Sequence, residues 1–346
     1  MKHLRLSILG FGVVGQGLAE LLETKHNMLC QRYDVDVSLV SVANSRSGFI
    51  YCEDGLQIPL LLELARTRQP LTAHPQIRHW ADPLVGLRET RGDMLAEATG
   101  TNLRDAEPGI SYIRAALQQG MHVITANKGP LALAGQELLA LAHEHQVQLR
   151  FESTVMAGTP VISTAVEGLA GATITSIRGI LNGTTNYILS AMAQGRDYAE
   201  VLADAQAQGY AEADPTADVE GYDAVAKVLI LAAQLFGQTL KPDQVQRQGI
   251  SSVTQADVQR AHSEGKRIKL IASLLQTAET GQLVQASVAP LALPLSDPLS
   301  QIDGVINAIT LHTDTLGDVT ISGSGAGRLQ TGQGLLADLL AIAQTF

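Results

Sequence analysis

The sequence predicts two domains, an α/β nucleotide-binding domain of the Rossmann type and a separate α+β domain. Three observations carry this. The chain has 346 residues, more than one domain of ~100 to 200 residues requires. In its first part, aliphatic strand-like runs alternate with helix-like segments, and a glycine turn joins the first pair, which implies a parallel sheet with helices on both faces. From about Thr159 that alternation stops.

In chain order, "LRLSIL" at 4–9 alternates as a strand does, "GFGVVGQG" follows as a turn, and "LAELLETKH" reads as a helix. "VDVSLVSVAN" comes at the distance of the next strand of a βαβ unit, and "DMLAEA", "HVITAN" and "VQLRFES" continue the series, with helix-like segments between them. Beyond Thr159, "VISTAVEGLA" reads as a helix, "TITSIRGIL" as a strand, and "GTTNYILSAMAQG" and "VLADAQAQG" as helices. The strands "QLVQASVAPLAL" (282–293) and "INAITLHT" (306–313) lack intervening helices, as in a sheet covered on one face. The last segment, "DVTISGSGAGRLQTGQGLLADLLAIAQ", again reads strand, glycine turn, helix. The expected division is therefore 1–150 with 318–346 for the nucleotide-binding domain and 151–317 for the other.

Composition narrows the function classes. Hydrophobic residues make up 45% of the chain and charged residues 17%, the balance of a compact protein. A net charge of -10 opposes sequence-independent nucleic-acid binding, which needs a basic surface. No apolar run is long enough to cross a membrane, and the amino terminus runs through Lys2, His3 and Arg5 into glycine without a signal-like apolar region. Two cysteines, Cys30 and Cys52, fit a reducing cytoplasm. They have no metal-ligand spacing, and the closest histidines, His143 and His145, point to different faces of a helix, so no zinc or iron site is expected.

Gly10, Gly12 and Gly15 form GxGxxG after a strand and before a helix, with Gly17 continuing the small-residue pattern. The first glycine permits the turn, the second lets the backbone approach a pyrophosphate, and the third lets helix and strand pack. An NAD site wants an acid at the end of the second strand. Here that end reads "VANSRSG", whereas Asp34 and Asp36 stand at the strand's beginning. Ser45 and Arg46 sit where a 2'-phosphate would lie, so NADP is expected over NAD; the alternative for Arg46 is a solvated loop arginine.

The stretch "GYAEADPTADVEGYD" carries five carboxylates in fifteen residues and leads into "AVAKVLILAAQLF", where Lys227 is the one charge among thirteen residues. Such a helix buries most of its surface, and Asp223, four residues earlier, lies on the same face as the lysine. Two readings stand: a structural ion pair, or a group that exchanges a proton with an alcohol during hydride transfer. The upstream acids, otherwise a solvated loop, suit a substrate that carries an ammonium group.

"GYAEADPTADVEGYDAVAK", "GFGVVGQG", "TANKGPLA", "GILNGTTNYIL" and "GSGAG" together resemble homoserine dehydrogenase, in the family's order and over nearly the whole chain. The resemblance implies reversible NAD(P)-linked interconversion of L-homoserine and L-aspartate 4-semialdehyde in threonine and methionine biosynthesis, by a homodimer whose central domain is catalytic and forms the dimer. It implies that Lys227 exchanges the proton, that Asp218 and Asp223 orient substrate and lysine, and that Lys128 is a second lysine near nicotinamide and substrate. It assigns Glu212, Gly183 and Thr184 to the substrate, and Gly10, Phe11, Gly12, Val13, Val14, Gly15, Arg46, Thr99, Lys128 and Gly325 to the cofactor. "FESTVMAGTP" resembles the family's monovalent-cation loop, with Glu152, Val155, Ala157 and Thr159 contributing mainly carbonyls to sodium. "EATGTN" at 97–102 varies from the stretch that borders the nicotinamide ribose. The chain ends at Phe346, so the resemblance is to the short form without a C-terminal regulatory domain, and inhibition by threonine through such a domain is not expected.

Two competing readings differ in chemistry. Aspartate-semialdehyde dehydrogenase needs a thiolate nucleophile, and neither Cys30 nor Cys52 lies in the catalytic part. A non-catalytic NADP-binding regulator would share the fold but has no use for both lysines and the acids at their motif positions.

Overall fold

The computed structural model describes residues 1–277 and 283–345. The chain forms two compact units, Met1–Gly158 with Gly327–Phe346, and Thr159–Ala326.

In the first unit, the described strands form one sheet in the order Arg78–Trp80, Gly48–Tyr51, Val35–Asn44, Lys2–Leu9, Met94–Glu97, His122–Thr125, Leu149–Arg150. Five run parallel, with Lys2–Leu9 at the centre between Val35–Asn44 and Met94–Glu97. The central strand is buried on both faces: Leu6, Ile8 and Leu9 are fully enclosed and Leu4 nearly so. Each such side chain contributes about 1.5–3 kcal/mol by leaving water. The core continues through Leu18 and Leu22 of helix Val13–Thr24 and Leu335 and Leu339 of helix Arg328–Ala343.

The sheet departs from the expected wholly parallel one. Gly48–Tyr51 and Arg78–Trp80 pair antiparallel along its edge. Both are short, and neither carries the long aliphatic run that marks a buried parallel strand.

In the second unit, the described strands lie in the order Gly317–Ser324, Ile306–Thr313, Ile174–Ile180, Lys266–Gln276, Leu283–Pro294, Gln246–Arg247. Helices Gly183–Ala193, Tyr222–Phe236 and Gln255–Ser263 pack against its central strands. The strand expected over 282–293 occupies Leu283–Pro294, and its first expected residue lies outside the described residues. The segment expected to return to the Rossmann sheet does so only in part. Gly317–Ser324 pairs antiparallel with Ile306–Thr313 in the second sheet, and only the helix Arg328–Ala343 joins the first unit. A strand, a glycine turn and a helix look alike in sequence whichever sheet supplies the pairing partner. The helix expected over "VISTAVEGLA" narrows to a wide helical turn, Thr164–Gly168.

Candidate active site

The strand Lys2–Leu9 delivers its carboxyl end into the turn Gly10–Gly12, and helix Val13–Thr24 begins at once. Gly10 has φ +98°, and a Cβ there would stand 2.3 Å from the carbonyl carbon of Ala98, so glycine alone fits. At Gly12 a Cβ would meet nothing within 4 Å, which leaves open space beside the backbone. The Gly10 and Phe11 amides both donate to the Ala43 carbonyl, at 3.0 and 2.9 Å. The amides of Val13, Val14 and Gly15 lie in the first helical turn, where no intrahelical acceptor precedes them, and no side chain caps the helix. An anion is therefore favoured there by donors and by the helix dipole.

Beside this turn lies a cleft of about 1010 Å³ lined by Gly10, Phe11, Gly12, Asn44, Arg46, Arg68 and Thr99, among others. Among the described residues its lining contains two arginines and no carboxylate. The position an acid would take in an NAD-selective site is held by Asn44, whose Oδ1 accepts the Arg46 and Ser47 amides at 3.0 and 2.7 Å and so shapes the Arg46 loop. Arg68 was not foreseen: it stands in an unremarkable polar stretch, and only the fold brings it to the cleft.

Glu97, at the end of strand Met94–Glu97, is fully buried and joins two loops. Its Oε1 accepts from the Thr99 amide at 2.9 Å and from the Thr99 hydroxyl, and its Oε2 lies 3.0 Å from Thr125 Oγ1. The Asn127 amide group donates to Thr99 Oγ1 at 3.2 Å, while Asn127 Oδ1 accepts Gly129 N at 3.1 Å and so caps the helix that begins at Lys128. One carboxyl thus fixes the cofactor-side Thr99 and the start of the Lys128 helix. Burial pushes the Glu97 carboxyl above its ordinary range, against the hydrogen bonds from Thr99, Thr125 and Asn127. A proton on Oε2 fits the geometry, because Thr125 Oγ1 can accept it while donating to the Glu97 main-chain carbonyl at 3.0 Å.

In the second unit, Lys227 is 5% exposed on helix Tyr222–Phe236. Its Nζ lies 2.8 Å from Asp223 Oδ2 and donates to the Leu181 carbonyl. Asn182, also unforeseen, ties the cluster together: its Nδ2 donates to Asp218 Oδ1 at 2.7 Å and to Asp223 Oδ2 at 3.1 Å, and its Oδ1 caps helix Gly183–Ala193 by accepting Thr185 N at 2.9 Å. Thr184 Oγ1 lies 2.9 Å from Asp218 Oδ2 and 2.7 Å from the Tyr210 carbonyl. Its single hydroxyl proton serves one of these at a time. Burial, and then the charge of Asp223, push the Asp218 carboxyl up, against the donors Asn182 and Thr184 and the charge of Lys227. Gly183 passes so close to the Val305 carbonyl that a Cβ would stand 2.7 Å from it.

The structure thus brings Lys227, Asp223, Asp218, Thr184 and Gly183 together. Glu212 is exposed, and no hydrogen bond joins its carboxylate to this cluster among the described residues; its main-chain carbonyl accepts from Gln206 at 3.1 Å. Gly10, Phe11, Gly12, Arg46 and Thr99 line the cleft of the first unit. Gly15 packs beneath the turn, where a Cβ would stand 2.3 Å from the Gly10 carbonyl oxygen. Gly325 belongs to the second unit and lies against the Asn307 side chain. Of the loop expected to hold a cation, Glu152, Val155 and Ala157 fall in the first unit and Thr159 begins the second. The Val155 amide stands 3.5 Å from the Glu152 carbonyl oxygen.

Known proteins resemble the chain over its whole length. A family model described as homoserine dehydrogenase matches residues 160–340, and one described as homoserine dehydrogenase, NAD binding domain, matches residues 10–152. The NAD(+)-dependent homoserine dehydrogenase of Pseudomonas canavaninivorans is 40% identical over 345 residues, 100% of this chain and 97% of that protein. The homoserine dehydrogenase of Methanocaldococcus jannaschii is 37% identical over 97% of each chain. Among solved structures, a putative homoserine dehydrogenase from Archaeoglobus fulgidus superimposes with a TM-score of 0.87 at 37% identity, over 98% of this chain and 99% of that one. A hyperthermophilic archaeal homoserine dehydrogenase in complex with NADPH gives 0.85 at 29% identity, over 100% and 99%. The first unit is accordingly a nicotinamide-cofactor domain. The chain belongs to the homoserine dehydrogenase family, oxidoreductases that act on a CH–OH group.

Proposed function

We propose that the chain interconverts L-homoserine and L-aspartate 4-semialdehyde with NADP preferred over NAD, in the route to threonine and methionine. The Lys227–Asp223–Asn182–Asp218 network carries the reading. The Leu181 carbonyl and Asp223 take two of the three open positions around Lys227 Nζ, which leaves the third, a lone pair on the amine or a proton on the ammonium, for a substrate oxygen. Two carboxyl groups stand beside a single lysine in the cluster, an excess of acidic groups that favours a ligand bearing an ammonium group.

Bound NADP supplies the hydride acceptor. As the neutral amine, Lys227 donates to the Leu181 carbonyl and Asp223 and takes the hydroxyl proton of homoserine on its lone pair as the carbonyl forms, and the resulting ammonium returns that proton in the reverse direction. Asp223 holds the lysine in place, Asp218 and Thr184 shape the substrate side, and Glu212 binds the substrate ammonium from the exposed loop. Arg46, with Arg68, meets the 2'-phosphate, and the absence of a carboxylate from the cleft lining among the described residues supports NADP. Lys128 lies near the nicotinamide, at the start of its capped helix. The resemblance extends the proposal to a homodimer and to a sodium ion on the carbonyls of the 152–159 loop.

The test is an assay at the NADPH absorbance band with homoserine and with aspartate semialdehyde, using NADP and NAD in parallel. The proposal expects both directions to run and kcat/KM to be higher with NADP. Equal or better use of NAD would overturn the cofactor assignment. Silence with both substrates would overturn the activity.

A further inference from the structure

Away from the nucleotide turn, at the amino ends of strands Lys2–Leu9 and Val35–Asn44, the first unit gathers four side chains that the proposed reaction does not use. His26 and Cys30 are four residues apart on helix His26–Tyr33, so they share a face. The chain then reverses through Asp34, in the left-handed conformation at φ 57°, and enters the next strand, which brings Asp36 back against that face. Asp36 is the register partner of His3 on the parallel neighbour, so those two side chains also emerge together.

Two of the three separations between ligand atoms are close to those of a coordination shell. His26 Nε2 lies 3.2 Å from Asp36 Oδ1 and 3.7 Å from Cys30 Sγ, and one ligand atom from each of the three residues falls within 4.8 Å of the others. A tetrahedral zinc ion with bonds of about 2.0–2.1 Å to nitrogen or oxygen and about 2.3 Å to sulfur requires separations of about 3.4 Å and about 3.6 Å. On the other side of the carboxylate, His3 Nδ1 lies 3.1 Å from Asp36 Oδ2, as an orienting partner of a ligating carboxylate does. Neither cysteine is in a disulfide, and Cys30 is half-buried. A mixed imidazole, thiolate and carboxylate set suits a borderline cation such as zinc rather than calcium or magnesium.

We propose that His26 Nε2, Cys30 Sγ and Asp36 Oδ1 bind a zinc-class divalent cation, with His3 orienting Asp36 and solvent completing the shell. The ion ties helix His26–Tyr33 to the strand that follows it and stabilises the first unit. The site escaped the sequence because a His and a Cys four apart make no recognised pattern until the reversal at Asp34 supplies the third ligand.

The experiment titrates cobalt(II) into the reduced, metal-stripped protein, followed by zinc(II), and reads the cobalt–thiolate charge-transfer band and the melting temperature. One equivalent of cobalt should produce the band and the visible pattern of a tetrahedral ion, zinc should abolish both, and zinc should raise Tm. Cys30→Ser should lose the band and Cys52→Ser should keep it. His26→Ala should weaken binding tenfold or more and His3→Ala to a lesser degree, with circular dichroism confirming that each variant is folded. Absence of a stoichiometric band, or its survival in Cys30→Ser, overturns the proposal. If Cys30→Ser does not fold, His26→Ala decides: unchanged cobalt affinity in that variant overturns the site, and weakened affinity supports it.

Discussion

Lys227 Nζ and Asp223 Oδ2 stand 2.8 Å apart, one helical turn from each other, with both side chains largely withdrawn from water. Breaking such a pair by removing one partner leaves a buried charge and costs about 3–5 kcal/mol, whereas removing both together costs far less. Asp223→Asn should therefore lower Tm, and the double variant Lys227→Met/Asp223→Asn should recover much of the loss. Activity should not return with stability. Calorimetry beside steady-state kinetics reads both, and a double variant that regained turnover would place the proton exchange elsewhere.

Arg46 lines a cleft without carboxylates among the described residues, where a charge-assisted contact to a 2'-phosphate would contribute about 1.5–3 kcal/mol. Arg46→Ala should weaken NADP binding about tenfold or more and leave NAD nearly unchanged. Isothermal titration with each cofactor measures this. Equal loss for both would show that the arginine does not read the phosphate.

The parts of this molecule that sequence made legible are those with local signatures. GxGxxG after an alternating strand led to the turn at Gly10–Gly12, and a lone lysine in an apolar helix four residues after an aspartate led to the pair at Lys227. What remained hidden depends on contacts between distant segments. Asn182 reads as an ordinary helix cap until the fold sets two carboxylates beside its amide. Glu97 reads as a strand end, although it joins Thr99 to the cap of the Lys128 helix across a gap of thirty residues. Gly317–Ser324 carries no mark of which sheet it joins, because pairing is settled by its hairpin with Ile306–Thr313.

The Glu97 hub makes a test by chemistry rather than by size. A glutamine there keeps an acceptor for the Thr99 amide and offers a donor to Thr125, as a protonated carboxyl does, whereas leucine offers neither. Glu97→Gln should keep NADP affinity near wild type, and Glu97→Leu should weaken it by about tenfold, the equivalent of one or two lost hydrogen bonds. A leucine variant with lowered Tm but unchanged NADP affinity would reduce Glu97 to a folding residue.

Asp338 titrates within reach of ordinary buffers. Burial raises its carboxyl from 3.8 to about 7, with the Glu152 charge adding to the rise, while the Glu152 amide at 2.8 Å and Arg150 oppose it. Between those two values the folded state holds more protons than the unfolded one, so this residue's contribution to stability falls as pH rises and levels off above about 7. Wild-type stability should therefore decline relative to Asp338→Asn from pH ~5 to ~8. Urea melts across that range check it, and a difference that stayed constant or moved in favour of wild type would contradict the raised carboxyl.

The most direct measurement is turnover of Lys227→Ala, taken with its melting temperature and its NADP affinity. A group that exchanges a proton with the substrate hydroxyl acts in the transition state, so kcat should fall about 100-fold or more while the folded protein keeps its NADP affinity within a few-fold. A folded Lys227→Ala protein with near wild-type turnover would show that the pair with Asp223 serves the fold alone.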